Sequence, residues 1–120
     1  GWNDSIDKIE TVLQVGENFA NAIAIGGLRI SPEIGNNLRK KNISVPDVKS
    51  YHPKTLDPEI EEKILKCYAD LNLKVPLFKH TSCAVSNIFG IQNYNNLFLN
   101  SELNCIKTCP QSQVEMCHKK

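Results

Sequence analysis

The sequence predicts an all-α fold: a small disulfide-braced bundle of about four to five helices, with a long loop near residues 41–56. Three observations carry this. Apolar residues recur at helical spacing in several segments, and a cap–proline–acid helix start occurs twice, at Ser31-Pro32-Glu33 and Asp57-Pro58-Glu59. Five cysteines crowd the C-terminal half, and no six-residue window alternates cleanly enough for a strand.

The first helix is expected over Asp4 to Ile25. Ile6, Ile9, Leu13, Phe19, Ala20 and Ile23 form its stripe, and Asn3, Asp4 or Ser5 caps it. Gly26-Gly27 is expected to end it. Gly16 costs about 1 kcal/mol against alanine inside a helix, which points to a close crossing or a bend there. A second helix runs from Pro32 to about Lys40, presenting Ile34 and Leu38. Residues 41–56 then hold the breakers Asn42, Pro46, Asp47 and Pro53.

The third helix opens at Pro58 and runs to about Asn72, with Ile60, Ile64 and Cys67 facing inward and acids and lysines outward. A fourth is read from Pro76 to Gly90 and a fifth within Asn93 to Lys107, carrying Leu97, Leu99, Leu103 and Ile106. Pro110 is expected to stop it, leaving 111–120 extended or irregular. The whole chain, residues 1–120, reads as one domain, with residues 1–3 and 118–120 as mobile ends. A chain of this length buries about two-thirds of its unfolded surface.

Charge excludes several function classes. Lys and Arg total 14 against 13 Asp and Glu, so the net charge is +1 and no clustered basic face marks a nucleic-acid binder. Only Arg29 and Arg39 could clamp a phosphate or carboxylate in bidentate fashion. No apolar run is long enough for stable membrane insertion, and the acidic polar face of the first helix does not suit a membrane surface. The sequence opens without methionine or a charged-then-apolar leader, and is expected to be a mature, processed form or a trimmed piece of a longer chain. The sequons at Asn3 and Asn42 would admit glycosylation in a secretory pathway.

Cysteine density points the same way, to a secreted, extracellular protein. Cys105 and Cys109 are four apart and share a face if helical, so a bridge between them is strained and each is expected to seek another partner. Intramolecular disulfides are expected among Cys67, Cys83, Cys105 and Cys109, with Cys67 and Cys83 each taking a partner from the C-terminal group. A bridge closing about fifteen residues contributes roughly 3 kcal/mol in the chain-entropy model. Cys117, near the end, is the candidate for a free thiol or an intermolecular bridge making a covalent homodimer.

Zinc needs paired knuckles on turns, and a single Cys-x3-Cys on a predicted helix does not supply them, so neither metal nor cofactor is expected. Nucleophile elbow, P-loop, HExxH and calcium-loop motifs are all missing, and no catalytic residue is assigned. The Cys-x3-Cys pair and terminal cysteine resemble those of insect odorant-binding and related venom or salivary helical proteins. Those families carry the pair mid-chain after an N-terminal cysteine, which this chain lacks, so only a small sulfur-braced bundle is implied.

The expected function is therefore non-enzymatic. A carrier would hold a small apolar ligand, a lipid or similar, in a clamped cavity lined by Phe19, Ile23, Ile60, Ile64, Phe78, Ile88 and Phe89. The alternative is a secreted interaction protein (effector, allergen or signalling factor) binding a protein partner or acting as a disulfide-linked dimer. Its mark would be an exposed apolar patch, around Val45 to Tyr51 or Leu97 to Leu99.

Overall fold

Ile9 and Leu13, one helical turn apart, are the two fully buried side chains of the first helix, and the core is built against them. The computed structural model describes residues 5–27, 30–45 and 56–119. It is mostly helical: α1 Ile6–Phe19, α2 Pro32–Lys40, α3 Pro58–Asp70, α4 Thr81–Phe89, α5 Ser101–Asn104 and α6 Gln111–His118. Two short strands, β1 Ile23–Ala24 and β2 Leu77–Phe78, pair in parallel, and a 3-10 turn spans Leu97–Asn100. The chain divides into two compact units, residues 1–25 with 58–120, and residues 26–57.

In the first unit α1 packs on α3. Ile9, Leu13, Cys67 and Leu77 form the buried cluster, with Ile23, Ile25, Ile64, Leu65, Tyr68, Leu71 and Leu73 packed round it. The loop entering β2 is pinned from two helices. One carboxylate oxygen of Glu17 accepts from the backbone N–H groups of Lys74 (3.0 Å) and Val75 (2.9 Å), and the Tyr68 hydroxyl donates to Val75 O at 2.8 Å. Lys79 bridges to Glu61 at 3.1 Å, tying the start of α4 to α3. In the second unit, the Ser31 side chain accepts from Ile34 N at 3.2 Å with Pro32 opening α2, the cap–proline–acid signature in its expected role.

Several boundaries differ from the sequence reading. The first helix ends at Phe19, not Ile25, because Ile23 N donates to Pro76 O and Ile25 N to Phe78 O, both at 2.9 Å. Residues with helical spacing are thus drawn into a strand by tertiary pairing. Gly16 explains the return. A Cβ there would meet the side chain of Ile23, with Cγ1 only 2.9 Å away, so the glycine admits β1 rather than a crossing helix. The fourth helix starts at Thr81 instead of Pro76, since Leu77 and Phe78 belong to β2, and it stops at Gly90 in the left-handed conformation (φ 63°), as expected.

The single helix expected within Asn93 to Lys107 is replaced by the 3-10 turn and the one-turn α5, after Asn96 adopts a left-handed φ of 55°. Residues 111–118, expected to be irregular, form α6. Pro110 starts this helix where it was expected only to stop the preceding one: its carbonyl accepts from Gln113 N and Val114 N. Phe78 is fully buried, whereas Phe19 and Phe89, expected to line an enclosed cavity, are exposed. Residues 41–45 follow α2 as a turn, while residues 46–55 of the expected loop lie outside the described residues, as do Asn3 and the chain's first and last residues.

Candidate functional site

Helix α4 exposes large apolar side chains at its C-terminal end. Its buried positions are Ser82, Ala84 and Ser86, all small. Its two largest apolar residues, Ile88 and Phe89, are 55% and 72% exposed. The strip continues past Gly90 through Ile91 and Tyr94, both exposed, and Leu99 and Leu103 are exposed beyond it. No Asp, Glu, Lys, Arg or His occurs from Thr81 to Ser101. An outward apolar surface without charge has the composition of an interface centre, where charged residues are depleted and aromatics enriched. The sequence carried this signal as a charge-free run, and helical periodicity alone did not reveal it.

What holds the strip is the buried side chain of Asn93, 2% exposed. Its Nδ2 donates to Ser82 Oγ (3.2 Å) and Cys83 Sγ (3.3 Å), and its Oδ1 accepts from Asn95 N (2.9 Å) and Leu97 N (3.3 Å). All the polar capacity of one amide thus ties the start of α4 to the segment that returns toward the 3-10 turn. Helix α6 docks on the same segment. Buried Gln113 donates to Ile91 O (3.1 Å) and to Cys117 Sγ (3.2 Å), and Gln92 donates to Cys117 O at 2.8 Å.

These elements gather four thiols, Cys83, Cys105, Cys109 and Cys117. Cys105 is not on a helix: it follows α5 with extended backbone (φ −84°, ψ 146°), and Cys109 sits in the next turn, its N–H donating to Ile106 O. The shared helical face expected for this pair is therefore absent. Burial pushes the Cys109 thiol up to about 11, and the charges of Cys83, Cys105 and Cys117 add to the shift. Burial also raises Cys83 and Cys105. Neighbouring thiols push the same way, while hydrogen bonds from Asn93 and Ser82 offset part of the shift at Cys83. Such electrostatic coupling makes the four thiols neighbours, and in this structure all five cysteines are free thiols, so the expected disulfides are not formed.

Cys67 has other neighbours. It is buried on α3 against Ile9 and Leu13 of α1, and its thiol is raised first by burial and then by the carboxylates of Glu10 and Asp70. Beside it lies a cleft of about 330 Å³ lined by Ile6, Glu10, Lys63, Lys66, Cys67 and Asp70. Four of its six lining residues, Glu10, Lys63, Lys66 and Asp70, carry charge, more than the few polar groups of a typical small-molecule pocket.

The seven residues expected to line such a cavity are spread over different environments. Phe78 is locked in the core, Ile23 and Ile64 pack against it, and Ile60 is half-buried, while Phe19, Ile88 and Phe89 face outward. Asn42 is exposed at the turn after α2 with a left-handed φ of 58°. Among the described residues, no three His, Cys, Asp or Glu side chains are arranged to hold a metal ion, and no helix is long and apolar enough to cross a membrane. No family model, curated protein or solved structure significantly matches the chain.

Proposed function

We propose that this chain is a secreted, non-enzymatic binding protein, braced by disulfides, that engages a protein partner through the uncharged strip Ile88–Tyr94. The single observation behind this reading is the inverted α4, which buries serines and exposes Ile88 and Phe89. Leaving those side chains in water forgoes roughly 1.5–3 kcal/mol each that burial would supply, so covering them is a ready source of binding energy. An enclosed small apolar ligand draws no comparable support, because its expected contacts are dispersed. The thiols favour a structural over a catalytic role, since raised ionisation constants leave little nucleophilic thiolate at neutral pH.

The test immobilises the oxidised chain and compares it with an Ile88→Asp/Phe89→Asp variant against extracellular fluid of the source organism. A protein retained saturably by the native chain and lost by an equally stable variant is the expected result. Equal retention by both chains contradicts the reading. So does a fatty acid that the purified chain keeps at equal stoichiometry through native mass spectrometry.

A further inference from the structure

Contacts made beside the four clustered sulfurs sort them into two pairs. Thr108 Oγ1 donates to Leu77 O at 2.8 Å, fixing the residue next to Cys109 against the strand that leads directly into α4. Cys83 lies in the first turn of that helix, its N–H bonded to His80 O. On the other side, the Phe98 and His118 rings meet edge to face with centroids 6.0 Å apart. That contact sets the end of α6, and with it Cys117, against the 3-10 turn. Asn104, next to Cys105, is tied to the same turn through Leu97 O (3.3 Å) and Asn100 O (3.1 Å).

We propose that the cluster closes as two disulfides, Cys83–Cys109 and Cys105–Cys117, leaving Cys67 as a single buried thiol. This reverses the sequence expectation that bridged Cys67 and left Cys117 over. The electrostatics bear on the first pair: among the thiols acting on Cys109, Cys83 is the strongest, while Cys105 and Cys117 both act on Cys83. The first pair joins β2–α4 to the 105–109 turn, and the second joins that turn to α6. Together they staple the elements that present the uncharged strip.

Each bridge forms by thiol–disulfide exchange with a small-molecule disulfide such as oxidised glutathione. One protein thiolate attacks a sulfur of that disulfide and expels one glutathione thiolate, which takes up a proton. The second protein thiol, deprotonated, attacks the mixed disulfide and expels the other glutathione. Two protein thiols thereby lose two protons and two electrons, and one oxidant molecule becomes two thiols. Cys105, the exposed member of the cluster, is the sulfur an external disulfide reaches first.

The pairing rests on the braced state proposed above, and one experiment separates their failures. The reduced, folded chain is equilibrated in a glutathione redox buffer, its free thiols are alkylated, and it is cut with trypsin and a glutamyl endopeptidase. Cleavage after Lys66, Lys74, Lys79, Glu102, Lys107, Glu115 and Lys119 puts every cysteine on its own fragment. Fragment 80–102 is expected linked to 108–115, and 103–107 to 116–119, with Cys67 alkylated only after denaturation. Cys109→Ser is expected to free Cys83 and keep the second link. Any other linkage, or Cys67 in a bridge, overturns the pairing alone. All four clustered thiols alkylated at equilibrium overturns the braced state itself.

Discussion

The side-chain amide of Asn93 donates to Cys83 Sγ at 3.3 Å from a position that is 2% exposed. This contact joins the sulfur cluster to the uncharged strip, since the same amide also orders Ser82, Asn95 and Leu97. Asn93→Ala strips partners from buried donors and acceptors, each worth about 1–3 kcal/mol when left unmade. A loss of roughly 2–4 kcal/mol in urea unfolding is expected. Exposed Asn95, changed to alanine, serves as the control and should stay within about 0.5 kcal/mol of the native chain.

Local chemistry made some elements legible in the sequence. Ser31-Pro32-Glu33 and Asp57-Pro58-Glu59 announce α2 and α3 because capping and proline geometry act over a few residues. The left-handed stop at Gly90 is similarly local. What the sequence hid depends on distant partners. Ile23 and Leu77 carry helical spacing but pair with one another across more than fifty residues, and two-residue strands are too short to show alternation. Pro110 can end one helix or begin another, and the docking of Gln113 on Ile91 O favours the second. Periodicity assigns apolar residues to a core face by default. It therefore misplaced Phe19 and Phe89, while the charge-free run around Phe89 was visible in the sequence and contains the exposed apolar residues.

Gly16 and Ile23 supply a steric test of the turn back from α1. Gly16→Ala gains helix propensity of about 1 kcal/mol but forces its new methyl group into Ile23, an overpacking cost of about 1–3 kcal/mol. Net destabilisation is expected. In an Ile23→Val background, which removes the terminal methyl, the same substitution should cost less or become stabilising. A double-mutant cycle by urea denaturation reads the coupling, and additive effects would contradict this packing.

Oxidation should change how stability responds to pH. In the reduced protein, Cys109 ionises at about 11 when folded against an ordinary 9.0, and Cys83 and Cys105 are also raised. A raised folded value means the unfolded chain loses protons first. The contribution is thus fully present below about pH 9 and is lost as pH rises toward about 11. Bridged sulfurs have no proton to lose, so the oxidised protein keeps only the decline from Cys67 and Tyr68, both raised chiefly by burial. Urea midpoints at about pH 7.5 and about pH 10.5 should fall further for the reduced form than for the oxidised one.

Counting thiols in the oxidised, unfolded chain tests the central claim most directly. Intact-mass analysis should find a monomer four hydrogens lighter than the reduced chain. Alkylation in denaturant should add one label, on the 67–74 fragment. A label on Cys117 with Cys67 bridged, or a covalent dimer dissolved by reductant, would contradict it.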